Sequence, residues 1–258
     1  MEQIFDSHAH YDDDAFLEDK DLLLKHLLST EVCGIVNVGA SMETSKKSIE
    51  IANNYENVWA TVGVHPECLE GLTDDFTDEL YKMIKDNKKV VAIGEIGLDY
   101  HFDKENSEKQ KEMFERQLKL ALDTNMPVVI HSRDAHMDTM DILKKYNPKG
   151  IVHCFSGSVE TAKEIVNMGM YIGIGGAVTF KNAKNRLKVA EYVPLSSLVL
   201  ETDAPYMTPE PFRGKRCDSS HIKYTAQKIA DVKGISVDEV LLAAKENAFR
   251  VYNLEEKR

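Results

Sequence analysis

Two histidines separated by one residue, His8 and His10, close the short apolar run that opens the chain, in Asp6-Ser-His-Ala-His10. Side chains two apart in extended backbone point the same way, so both imidazoles can reach one cation. Alone, the pair reads as two surface imidazoles after a strand. Similar residues recur, however, at the ends of later apolar runs. Glu95 stands in Ile93-Gly-Glu-Ile-Gly-Leu-Asp99, His131 in Val129-Ile-His-Ser-Arg133, His153 in Ile151-Val-His-Cys-Phe-Ser-Gly157 and Asp203 in Leu200-Glu-Thr-Asp-Ala-Pro205. Six N and O donors are too many for one tetrahedral ion with an open position, and they suit two divalent cations bridged by a carboxylate. The expected division puts His8, His10 and Asp203 on one ion and His131 and His153 on the other, with Glu95 between them. His65, in Gly63-Val-His-Pro66, is left over. It reads as a residue behind the ligands or facing substrate, with a structural histidine beside Pro66 nearly as good a reading.

The elements that must position these residues follow from the spacing of apolar residues. Strands are expected at Ile4–His8, Gly34–Val38, Val58–Val64, Val90–Ile96, Val128–His131, Ile151–Cys154, Tyr171–Ile174 and Leu198–Glu201. Helical periodicity falls between them, at Lys20–Ser29, Ser45–Asn53, Asp78–Lys85, Glu108–Asp123, Met137–Lys144, Glu160–Met168, Lys184–Tyr192 and Ile222–Lys233. In the fourth helix Met113, Leu118, Ala121 and Leu122 are expected on the buried face. A last helix, Val237–Tyr252, opens on Ser236 with Glu239 three residues on, a capping box. Strands such as Val90–Gly94 are apolar on both faces, as in a parallel sheet covered by helices. Eight such units point to α/β architecture, a single (β/α)8 TIM barrel across residues 1–258, with the doubly wound open sheet as competitor. The carboxyl ends of barrel strands converge on one face, where the residues above would meet.

Composition bounds the rest. A hydrophobic fraction of 43% fills a sizeable core. The net charge of −11 argues against non-specific binding to a long duplex. The start of the chain does not read as a signal peptide, and no apolar run approaches the roughly 20 residues that cross a bilayer. Four scattered cysteines (Cys33, Cys68, Cys154 and Cys217) read as reduced thiols, and the expected location is cytoplasmic. Cys154 is arguable as a ligand, but packing behind the site is the preferred reading. His26, His101, His136 and His221 fall away from strand ends and are expected to be solvated.

These motifs resemble those of the TatD-type metal-dependent deoxyribonucleases of the amidohydrolase superfamily. The likeness runs from Asp6-Ser-His-Ala-His10 through Gly63-Val-His-Pro66, Ala92–Tyr100, Pro127–Arg133, Val152–Gly157 and Tyr171–Gly176 to Leu198–Tyr206. The resemblance implies a (β/α)8 fold, a binuclear centre on the six residues named, and hydrolysis of DNA phosphodiesters, including from the 3′ end. It suggests Mg-supported activity, whereas imidazole-rich ligation suits Zn, Mn or Fe. One segment departs: Arg213-Gly-Lys-Arg216 is followed by Cys217-Asp-Ser-Ser220, where the family has Asn-Glu-Pro.

With DNA as the partner, positive charge must gather locally. Arg133 and Arg213 are the expected substrate cations and Tyr206 an expected aromatic contact, with Phe155, Phe180 and Phe212 also available for stacking. Lys184 and Lys188 read as a solvated helix face. In the proton transfer, Asp203 would orient the attacking water. The alternative activity is hydrolysis of a small C–N or C–O substrate. Enzymes of that branch often bridge their metals with a modified lysine, and Glu95 in the corresponding place favours the nuclease.

Overall fold

A computed structural model describes residues 3–254. Its strands are β1 Ile4–Ala9, β2 Val32–Val38, β3 Val58–Val62, β4 Val90–Asp99, β5 Val128–Arg133, β6 Gly150–Val152, β7 Tyr171–Ile174 and β8 Leu198–Leu200. Its helices are α1 Lys20–Thr30, α2 Met42–Asn54, α3 Phe76–Asp86, α4 Ser107–Thr124, α5 His136–Tyr146, α6 Val159–Asn167, α7 Lys184–Tyr192, α8 Ile222–Lys233 and α9 Val237–Val251. The strands pair in parallel and in chain order from β1 to β8. Ala9 bridges in parallel to Ala204, which brings the first and last strands together and nearly closes the barrel. A doubly wound sheet would reverse its strand order at a switch point, and this one does not.

Alternation along the strands separates two apolar layers. Phe5, Val36, Val91, Val129, Ile151 and Val199 belong to one buried cluster inside the barrel. Their chain neighbours Ile35, Val90, Val128, Val152 and Leu198 belong to a second, packed under the helices. Ala248, Val251 and Tyr252 join the inner cluster. Tyr252 Oη donates to the Ser7 carbonyl at 2.8 Å, and Phe249 packs edge-on against Phe5 and Trp59. The end of α9 therefore plugs the amino-terminal mouth and leaves the opposite mouth open. The Ser236–Glu239 capping box opens α9 as the sequence predicts.

Two differences from the sequence expectation have physical causes. β4 and β5 extend to Asp99 and Arg133 because their ladder continues through polar residues, which apolar patterning does not register. In α4 the buried stripe runs through Gln110, Met113, Phe114, Gln117, Leu118 and Ala121, and Leu122 falls off its edge with 48% exposure.

Candidate metal centre and substrate cavity

Alternation carries the inner row of each strand upward into the open mouth. Val129 is followed two residues on by His131, Ile151 by His153, and Val199 by Glu201 and then Asp203. Two irregularities add the rest. Ile93 pairs with Val128 and Ile96 with Ile130, so three residues of β4 span two of β5. Such a bulge re-aims side chains, and it lies at Gly94-Glu95. A similar offset in β1 falls at Ser7-His8, between the pairs Asp6–Ile35 and Ala9–Asn37. At Gly97 the chain has φ +145 and a Cβ would overlap the His131 carbonyl, so only glycine allows β4 and β5 to approach this closely.

The predicted ligands converge in two groups around one carboxylate. His8 Nε2 lies 3.0 Å from His10 Nε2, and the two lie 3.5 and 3.6 Å from Glu95 Oε2. Asp203 Oδ1 is 3.6 Å from the first nitrogen and 3.5 Å from the second. The other Glu95 oxygen, Oε1, lies 2.8 Å from His131 Nδ1 and 2.7 Å from His153 Nε2. His65 Nε2 is 3.6 Å from that same oxygen.

Outer hydrogen bonds fix which nitrogen of three rings offers a lone pair. His10 Nδ1–H donates to the Val38 carbonyl at 2.9 Å, which leaves Nε2 as the nitrogen that can bind a cation. His131 Nε2–H donates to Asp99 Oδ2 at 2.9 Å, leaving Nδ1 bare toward Glu95. His65 is different. Its Nδ1 accepts the Glu67 N–H at 3.2 Å, so the neutral ring carries its proton on the nitrogen that faces the site. Burial lowers His65 to about 3, which keeps the ring neutral. It suits a donor facing substrate better than a ligand, one of the three roles the sequence left open.

The electrostatics show how tightly these groups are coupled. Burial would raise the Glu95 carboxyl, but His153, His65 and His131 hold it well below the usual range. Burial likewise opposes the low Asp203 carboxyl, which His10, His8 and His153 hold down. His10 is held up at about 9, against its own desolvation, by Asp203 and Glu95. Buried carboxylates and bare imidazole nitrogens in such a cluster take up either protons or cations. The donor set fits two divalent ions: Glu95 offers one oxygen to each group, and His10 and His131, held by their outer N–H, each turn toward Glu95 the nitrogen that would give up its proton to a cation.

The centre forms the floor of a cavity of about 860 Å³, charged unevenly. Asp12, Asp13 and Asp14 line it after β1, whereas Arg133 and Arg186 line it from β5 and α7. Arg133 lies over the Phe102 ring at 4.7 Å. Tyr206 lines the rim, 54% exposed, and its hydroxyl donates to Asp13 at 2.6 Å. Arg213 stands apart from the lining residues, with its guanidinium 4.3 Å from the Phe180 centroid. Phe155 is buried in the core, and Phe212 packs on His221 and Tyr224.

The segment that departs from the family pattern serves structure. Ser219 Oγ donates to Asp6 Oδ2 at 2.7 Å and its N–H to Tyr11 Oη at 3.0 Å, while Asp218 caps a short turn at Ser220. Two histidines expected in solvent are half-buried. His136 lies 3.1 Å from Ser132 Oγ, and His221 Nδ1 accepts the Asp218 N–H. Cys154 does more than pack behind the site, since it lines the cavity and its N–H donates to Glu201. Sequence reading left Asp99, Phe102 and Glu201 without roles and counted Arg186 only among the basic residues after the seventh strand. Alternation from Val199 was the available signal for Glu201; Asp99 ends β4 in the polar stretch that apolar patterning does not register, and Arg186 and Phe102 depend on helix and loop paths that periodicity does not report.

Known proteins resemble the chain over nearly its whole length. Residues 5–253 match the sequence profile described as TatD related DNase. The chain is 40% identical to the metal-dependent hydrolase YabD of Bacillus subtilis, covering 97% of this chain and 99% of that one. It is 32% identical to the metal-dependent hydrolase YcfH of Escherichia coli, over 99% and 97%. The crystal structure of the TatD homologue YjjV of Escherichia coli superposes with a TM-score of 0.92 at 32% identity, covering 98% of each chain.

Proposed function

The chain belongs to the TatD related DNase family of metal-dependent hydrolases, and from that membership we propose that it hydrolyses DNA phosphodiester bonds while holding two divalent cations. The observation that carries the reading is Glu95, whose two oxygens face two separate groups of donors. His8, His10 and Asp203 would hold one ion and His131 and His153 the other, with Glu95 shared; the ions would be Mg, Mn or Zn. Bound divalent cations lower the pKa of a water and polarise a phosphoryl oxygen. The residues of the chain do the remaining work. Asp203, ionised at neutral pH, accepts the proton of the attacking water and returns it to the departing 3′ oxygen. His65 donates through Nε2–H to a non-bridging oxygen. Arg133 and Arg186 offset the charge of the strand on the β5–β7 side, and Tyr206 and Phe102 flank the rim where bases can stack. Arg213 would meet the strand outside the cavity.

The test is to incubate the protein with end-labelled single- and double-stranded DNA, RNA and a panel of p-nitrophenyl esters, with and without chelator. Chelator-sensitive release of nucleotides from DNA is expected. Ester turnover with no metal-dependent cleavage of any nucleic acid would overturn the reading in favour of a small C–N or C–O substrate.

The cavity cations give a second prediction. Neither Arg133 nor Arg186 has an ion-pair partner among the described residues. Arg186→Gln should raise KM for DNA about tenfold, the loss of one charge-assisted hydrogen bond, with kcat within about twofold. Arg133→Gln should act in the same direction. Steady-state kinetics at two salt concentrations check this, and an unchanged KM in both variants would remove the arginines from the binding role.

A further inference from the structure

Five histidines aim a nitrogen at Glu95, and three of them have their opposite nitrogen satisfied, His10 by the Val38 carbonyl, His131 by Asp99 and His65 by the Glu67 N–H. The other two do not. His8 Nδ1 and His153 Nδ1 are buried without a hydrogen-bond partner, and so is Glu201 Oε2. One nitrogen of each ring and an oxygen of Glu201 lie within 4.8 Å of one another. His153 Nδ1 is 3.7 Å from Glu201 Oε1. Glu201 itself is fully buried. Unpaired polar groups in such a place cost about 1–3 kcal/mol each, and more for a charged group.

The ring geometry says how the three belong together. The imidazoles of His8 and His153 stack with centroids 4.0 Å apart and planes 9° from parallel. Both turn Nε2 toward Glu95 and so Nδ1 away from it; His153 Nδ1 faces Glu201, and one nitrogen of the stacked His8 ring lies within 4.8 Å of a Glu201 oxygen. Glu201 is held there deliberately by its surroundings. The Cys154 N–H donates to its Oε1, and a Cβ at Gly173 would overlap its Oε2, so glycine in β7 keeps the space open.

We propose that Glu201 is a positioning residue shared by both halves of the centre, one buried carboxylate that accepts Nδ1–H from His8 and from His153. It thereby fixes both rings in the tautomer whose Nε2 lone pair faces the ions. The inference rests on His8 and His153 being ligands in the proposed function. A cation among the three outer atoms is the competing use. It would require bare Nδ1 atoms on both rings, and the neutral rings would then turn N–H toward the inner positions. A single acceptor for two ligands, one from each group, also ties the two ion positions together, whereas Asp99 serves His131 alone. Outer partners of metal-bound histidines are worth about 10- to 100-fold in metal affinity.

The experiment uses Zn²⁺ as the probe. Glu201→Gln should weaken Zn²⁺ binding about 10- to 100-fold at both positions, measured by competition with a chelator, with the far-ultraviolet circular dichroism of the native protein retained. In the ¹⁵N imidazole spectrum of the zinc-loaded native protein, His8 and His153 should each carry a slowly exchanging proton on Nδ1. That measurement needs no variant, so misfolding of Glu201→Gln does not remove the test. Bare Nδ1 atoms on both rings, or native affinity at both positions in the variant, would overturn the proposal. A native protein that binds no Zn²⁺ through His8 and His153 would instead overturn the ligand assignment beneath it.

Discussion

Replacing Glu95 by glutamine is expected to lower hydrolysis at least about 1000-fold and to leave fewer than two ions per chain, because the variant loses the group that both ions would share. The geometry makes this the most sensitive position. Oε2 lies 3.5 Å from His8 Nε2 and Oε1 lies 2.7 Å from His153 Nε2, so the amide must turn an NH₂ toward one group or the other. A donor hydrogen there meets an imidazole lone pair or an incoming cation, and either arrangement disfavours one ion. The substitution changes no packing, as glutamine has nearly the same shape. Elemental analysis after dialysis against trace metal, together with single-turnover rates, checks it. Two bound ions with a rate within tenfold of native would refute the bridging role.

The second large effect is expected at Asp203. Asp203→Asn should keep the ions bound and lower kcat about 10²- to 10⁴-fold, the usual contribution of a positioned proton acceptor. Two features isolate the chemistry from the fold. The residue has φ +60, a left-handed conformation that asparagine tolerates well. Its Oδ1, 3.5 Å from His10 Nε2, has a counterpart in the amide oxygen. What asparagine lacks is the capacity to accept a proton. A variant with full metal content and native kcat would show that Asp203 acts as a ligand only.

Much of this site is readable in the sequence because strand alternation is a local rule. Once Val129 and Ile151 face inward, His131 and His153 must follow, and the donors at successive strand ends meet wherever eight parallel strands curl up in order. The rule also reaches Glu201, which lies between Val199 and Asp203 in the inner row but attracts less notice than the aspartate after it. Bulges break the rule. Glu95 faces the site because β4 carries an extra residue against β5, and nothing local in Ile93-Gly-Glu-Ile96 states on which strand the extra residue falls. Loops and helix rotations lie further from reach. Arg186 enters the cavity and Arg213 rests on Phe180, although both sit in similarly basic stretches, because the path of the backbone decides which cation arrives. His136 is half-buried for a related reason: it opens α5, and the path of the short turn from β5 sets its ring 3.1 Å from Ser132 Oγ.

The meeting of β1 with the chain after β8 has a consequence for the order of events during synthesis. Ala9 and Ala204 close the sheet, and the same seam brings His8 and His10 beside Asp203. Asp6 is bound across it by the Thr202 hydroxyl at 2.6 Å and by Ser219 at 2.7 Å. At about 5–20 residues per second, the ribosome needs roughly 10–40 s to travel from the first histidine to that aspartate. Throughout that interval the two amino-terminal imidazoles lack the carboxylate that stands beside them in the folded protein. The centre is therefore among the last parts of the molecule to exist, and a newly made chain acquires its reactivity only when its two ends have found each other.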